Sequence, residues 1–197
     1  MKADKNATKI NNASPEIKTL LHVCCAPCAV APFSDFHPDS GITGFFYNPN
    51  IYPESELGAR LAEVKKISEI YDIPCIFMES EYSEFLNYVA GLENEKEGGA
   101  RCARCFELRL SKAFEYASAH GFGAVGTTLS SSPHKNVKTI NAIGNKLAAA
   151  TPGVRFMEYD FKKNDGFKRS VELCAKFTIY RQKYCGCEFA RSHLKKS

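Results

Sequence analysis

The chain has 197 residues, 44% of them hydrophobic and 24% charged, which suits one globular domain with a real core and excludes wholesale disorder. Basic residues outnumber acidic ones by only 26 to 22. The surplus is lodged at the end, where Arg155–Ser197 holds 11 Lys/Arg against 5 Asp/Glu, a net of +6. Such an imbalance suits a polyanion-facing surface, against the plainer reading of a solvated helix face, and no apolar run has the length of a bilayer span.

The polar stretch MKADKNATKINNASPE lacks the apolar segment of a secretory signal and reads as a mobile lead-in over residues 1–16, so a cytoplasmic protein is expected. Lys18–Cys24 (KTLLHVC) then reads as a short strand ending in a cysteine- and proline-rich turn that leads toward a helix. Ile42–Tyr47 is a second strand, and Asn48-Pro49-Asn50 follows it. A helical pattern opens at Pro53-Glu54-Ser55-Glu56 and runs through Tyr71, with Leu57, Leu61, Val64, Ile67 and Ile70 three and four apart. Ile73–Met78 is a third strand, and Glu93–Arg101 (ENEKEGGAR) an exposed, mobile loop. Ala103–His120 is a strong helix stopped by Gly121. A fourth strand over Phe122–Thr128, a helix over Asn136–Ala150, a fifth strand over Val154–Tyr159 and a long last helix over Phe167–Tyr184 complete the chain.

Strands alternating with helix-length segments imply a parallel sheet covered on both faces. The expected architecture is α/β: a Rossmann-like, doubly wound sheet of about five parallel strands with helices on both faces. Residues 17–197 form a single domain with a basic C-terminal helical region. In such folds ligands bind beyond the carboxyl ends of the strands. The turns Cys24–Cys28, Asn48–Pro53, Thr127–Asn136 and Asp160–Gly166 all follow strands and would share that rim.

Nine cysteines in a chain with no signal for an oxidising compartment point to metal or redox chemistry rather than a disulfide scaffold. Cys24, Cys25 and Cys28 form CCAPC; Cys102 and Cys105 form CARC at a helix start, where unpaired amides favour thiolate; Cys185 and Cys187 form CGC. Cys75 and Cys174 stand alone on apolar patterns and read as small buried hydrophobes. Two cysteine pairs supply the four thiolates of an iron–sulfur cluster or a structural zinc, and spacing alone leaves both open. Glycine between Cys185 and Cys187 permits a strained, easily reduced disulfide; the same residues also suit further metal ligands or inert thiols.

CCAPC, YNPNIYP (47–53), CARCFELRL (102–110), TTLSSSPHKN (127–136), DFKKNDG (160–166) and YRQKYCGC (180–187) together resemble the QueH family of non-cobalamin epoxyqueuosine reductases. The resemblance runs from about Leu20 to Phe189; its one departure is Phe106, where tyrosine is expected. It implies reduction of the epoxide of epoxyqueuosine to queuosine at the tRNA wobble position. The implied partners are tRNA carrying epoxyqueuosine and an electron donor that the sequence does not identify.

The resemblance also implies a 4Fe-4S cluster, with Cys24, Cys25, Cys102 and Cys105 as ligands and Cys185 and Cys187 as a redox-active pair. Cys28 remains open, as a ligand to an additional iron ion or a structural residue. Asp160 and His22 are candidate proton donors, against the plainer readings of a helix cap and a core residue. Tyr47, Asn48 and Asn50 suit base stacking and hydrogen bonding, or equally core packing and turn capping. Ser132, Lys135 and Asn136 precede a helix N-terminus suited to phosphate. Lys162 and Lys163, with Lys168, Arg169, Arg181, Lys183, Arg191, Lys195 and Lys196, would follow the tRNA backbone.

Two rivals follow from the same residues. An ATP-dependent tRNA-modifying enzyme of related fold needs a glycine-rich phosphate loop after the first strand, where this chain has CCAPC. A zinc-stabilised nucleic-acid-binding module without catalysis uses four cysteines and the basic region but leaves the CGC idle.

Overall fold

Thr19–His22 (β1), Ile42–Phe46 (β2), Cys75–Phe77 (β3), Ala124–Thr127 (β4) and Arg155–Phe156 (β5) form one all-parallel sheet in the order β3-β2-β1-β4-β5. This is a computed structural model that describes residues 17–194; the expected lead-in, Lys195 and Lys196 lie outside the described residues. β1 is central and its four residues are all buried, as a strand covered on both faces must be. Successive side chains point to opposite faces. Leu21 and Phe46 therefore join one core with Val30, Phe33, Val64 and Ile67, while Leu20 and Phe45 join another with Ala113, Phe114 and Val125.

The first core is covered by α1 (Ala26–Asp35), α2 (Glu54–Tyr71) and α6 (Gly166–Lys176), the second by α4 (Ala100–Ala119) and α5 (Val137–Ala150). This is the doubly wound arrangement expected from the sequence. Short α3 (Tyr82–Tyr88), absent from the sequence reading, is started by a capping box in which Glu81 and Glu84 serve each other's backbone N–H groups. No helix among the described residues is long and apolar enough to cross a membrane.

Two segments differ from expectation. The last helix does not run to Tyr184: α6 stops at Lys176, and α7 (Glu188–Leu194) follows an irregular stretch. Thr178 takes the left-handed conformation (φ 51°), its N–H donating to Ala175 O at 3.2 Å and that of Ile179 to Cys174 O at 2.8 Å. These paired bonds make a Schellman stop, with threonine where glycine is usual, and Ile179 folds into the core. Second, Glu93–Arg101 is not wholly an exposed loop. Ala100 and Arg101 begin α4, and buried Arg101 donates to the carbonyls of Leu92, Glu93 and Glu95 at 3.4, 2.8 and 2.6 Å.

Candidate active site

The strand order reverses between β1 and β4, which opens a crevice beyond their carboxyl ends. CCAPC is the turn that leaves β1 at this point. The Cys24 N–H crosses to Thr128 Oγ1 at 3.1 Å, in the 3-10 turn after β4 (Thr128–Ser131). Cys25 is the extended N-cap residue of α1, and Pro27 fits the first turn, where no N–H is needed. The sulfurs of Cys24, Cys25 and Cys28 thereby come within 4.8 Å of one another. Hydrogen bonds from Cys25 and Cys28 push the Cys24 thiol well below its ordinary pKa, and the same bonds push those two partners up. Gln182, on the stretch after α6, donates to Cys25 Sγ at 2.9 Å.

Cys102 and Cys105, in the first turns of α4, face Cys185 and Cys187 across a small cavity also lined by Asn50 and Phe106. Burial pushes Cys105 up to about 12 and Cys187 up to about 11. It also raises Cys102, outweighing the Gly98 N–H that donates to its sulfur at 3.2 Å. At this helix start, burial wins over the amides expected to favour thiolate. Cys185 lines both this cavity and the crevice, so the two thiol groups are contiguous. The CGC turn is held from below: Arg60, fixed by Glu56 at 2.8 Å, donates to Cys185 O at 2.9 Å and Tyr184 O at 3.1 Å. Gly186 has φ 143°, and a Cβ there would lie 3.0 Å from Asn50 Nδ2 and 3.3 Å from Arg60 Nη1, so glycine is required.

The crevice measures about 690 Å³, with Cys24, Cys25 and Cys28 on its wall alongside Arg109, Lys135 and Arg181. Burial depresses Lys135, but the neighbouring thiols of Cys185, Cys24, Cys28 and Cys25 more than reverse this and hold it above its usual pKa. The site is thiol-rich and cationic, the combination an anionic metal–thiolate centre needs.

The family described as "Epoxyqueuosine reductase QueH" matches residues 19–193. The chain belongs to the QueH family. A QueH named as an epoxyqueuosine reductase from Streptococcus pyogenes serotype M1 is 39% identical over 177 residues, covering 87% of this chain and 69% of that protein. Its Thermotoga maritima counterpart is 35% identical over 174 residues, covering 87% and 88%. Among solved structures, the U34-tRNA thiolase NcsA from Methanococcus maripaludis, with its [4Fe-4S] cluster, superposes with a TM-score of 0.53. At 12% identity, over 91% of this chain and 64% of that one, it shows a shared fold.

The motif residues of this QueH chain take different positions. Ser132 and Lys135 line the crevice, and Lys162 Nζ donates to Lys135 O at 2.9 Å. Asn136 caps α5, accepting from Lys138 N at 2.9 Å and Thr139 N at 3.3 Å. Tyr47 and Asn48 lie behind the wall: Tyr47 Oη donates to Glu84, while Asn48 donates to Val23 O at 3.0 Å and accepts from Arg109. Asp160 and Lys163 line a separate cavity, with Asp160 Oδ1 accepting from Lys162 N at 3.2 Å. Arg169 is engaged by Asp35 and Ser34, the latter at 3.0 Å. His22 is buried against Thr127 Oγ1 at 2.9 Å, and desolvation holds its pKa down to about 3, so the imidazole is neutral.

Sequence reasoning passed over Arg109, Thr128, Gln182 and Phe167, all near the thiols or on the crevice wall. For Arg109 the signal was present, because it lies four residues after Cys105 on one helix face.

Proposed function

We propose that this chain reduces epoxyqueuosine to queuosine at the wobble position of tRNA. In this reaction both epoxide C–O bonds break and a C=C bond forms. Two electrons and two protons are consumed, and the oxygen leaves as water. The carrying observation is a crevice of about 690 Å³ at the switch point of the sheet, with three clustered thiols on its wall. That volume suits a nucleoside drawn out of a loop.

The donor set fits an iron–sulfur centre: soft thiol ligands, mutually close, facing Arg109 and Lys135. In this reading Cys24, Cys25, Cys102 and Cys105 hold a 4Fe-4S cluster, supported by the packing of Cys102 against the apolar cluster that contains Cys24 and Cys25. Cys28, in the same sulfur triad, holds an additional iron ion. When bound, these groups supply single electrons and a Lewis acid for the departing oxygen. Cys185 and Cys187 store an electron pair as a dithiol beside the crevice, refilled by a separate donor.

The protein's own part is to bind and orient. Ser132 and Lys135 on the crevice wall face phosphate, with Asn136 beside them as the cap of α5. Lys162 extends that basic edge through its bond to Lys135 O, and Lys163 adds charge at the separate cavity. Phe167, 48% exposed on the crevice wall with the Arg181 guanidinium 5.8 Å from its ring, offers a stacking face for an unpaired base. Tyr47, Asn48 and Asn50 support the wall from within, and Asp160, in the separate cavity next to α6, is the candidate proton donor. The setting for this tRNA chemistry is cytoplasmic.

Anaerobic purification followed by turnover tests the reading. Brown protein carrying iron and acid-labile sulfide, converting epoxyqueuosine to queuosine in tRNA nucleoside digests, is the expected result. Colourless protein with stoichiometric zinc and no conversion would establish the binding-module alternative.

A further inference from the structure

Among the described residues three arginines are fully buried, and they are satisfied differently. Arg60 has a carboxylate, Glu56, at 2.8 Å. Arg101 lies among three backbone carbonyls and against the Phe189 ring. Arg109 donates to the neutral amide oxygen of Asn48 and lies within hydrogen-bonding reach of the Cys105 sulfur. Its Nε has no hydrogen-bond partner, and it forms no ion pair with a carboxylate among the described residues. A guanidinium stays protonated in proteins, and an uncompensated buried charge is costly. The anion must come from elsewhere in the fold. Arg109 lines the crevice together with Cys24 and Cys185, and Cys105, one turn earlier on α4, is within hydrogen-bonding reach, so sulfurs from three separate chain segments surround its site.

We propose that Arg109 is the buried countercharge of the metal–thiolate centre, raising its reduction potential and its metal affinity. This rests on the reading above that these cysteines hold a metal. Arg109 reaches the chemistry through the sulfurs, so its role is electrostatic positioning. A positive charge beside the cluster favours the more negative, reduced state. Asn48 fixes the guanidinium toward the sulfurs and, through its bond to Val23 O, ties it to the strand end that carries Cys24.

The test is a redox titration of the anaerobically purified protein, read by the cluster's absorbance. Arg109→Gln removes the charge and retains a donor for Asn48. It should shift the reduction equilibrium about tenfold toward the oxidised state, about 59 mV for one electron. Arg109→Lys, which restores the charge, should lie near wild type. Should Arg109→Gln fail to fold, Asn48→Asp supplies a competing anion and should lower the potential in the same direction. A cluster retained in full at wild-type potential in Arg109→Gln, or in Asn48→Asp where that variant takes its place, overturns the proposal, as does equal displacement by glutamine and lysine. Wild-type protein without a redox-active metal would instead overturn the reading of function. Arg109 is then decided by titrating Co²⁺ into the metal-free chain: about tenfold weaker binding in Arg109→Gln than in Arg109→Lys supports the countercharge, and equal binding removes it.

Discussion

Cys24 and Thr128 grip each other across the switch point: the Cys24 N–H donates to Thr128 Oγ1 at 3.1 Å, and that hydroxyl donates back to Cys24 Sγ at 3.4 Å. One side chain from the turn after β4 thus fixes both the backbone and the sulfur of the turn after β1. Thr128→Val keeps the shape and leaves the Cys24 amide unpaired in a buried site, which costs about 1–3 kcal/mol. Anaerobic urea unfolding should show that loss, with Thr128→Ser close to wild type. Identical unfolding midpoints for Thr128→Val and wild type would remove the contact from the account.

The ligand assignment predicts a graded loss of metal. Alanine at Cys24, Cys25, Cys102 or Cys105 should remove most of the bound iron and sulfide, while Cys28→Ala should lose only the additional iron. Full iron retention in a Cys102→Ala, Cys105→Ala double variant would assign those thiols to the cavity they share with Cys185 and Cys187 instead.

Cys185→Ser separates storage from ligation. As half of an electron store, Cys185 should be dispensable for iron content but needed for repeated turnover. Single-turnover reduction with chemically supplied electrons should survive. Metal content and steady-state rate are measured on the same sample. Wild-type values of both would leave the CGC with a structural role.

The crevice wall predicts how tRNA is held. Phe167→Ala should raise KM for the tRNA about tenfold, since stacking one base is worth about 1–3 kcal/mol, and Phe167→Tyr should restore it. The Lys162→Glu, Lys163→Glu double variant should weaken tRNA binding and flatten its salt dependence, with the cluster spectrum unchanged. Unaltered binding in the lysine variant would return that edge to solvated surface.

Much was legible in the chain itself because it depends on neighbours in sequence. The strand–helix alternation follows local periodicity, and with it the doubly wound sheet and the rim of turns. CCAPC carries its whole triad within five residues, so one turn into α1 brings its sulfurs together. The partition of the remaining thiols was not legible. CARC and CGC lie some 80 residues apart and meet only because α6 stops at Lys176, turned off by Thr178, a left-handed threonine with no glycine to announce it. That stop sends residues 177–187 past Cys25 and the start of α4, where a continued helix would have carried them straight on. Asn48 and Arg109 show the same divide. Each has an ordinary local role as turn amide and helix cation, and only the packing of α4 behind β1 and β2 buries them together beside the sulfurs. Local spacing specifies elements and short-range clusters; long-range packing decides which charges lose their water, and therefore which groups must compensate one another.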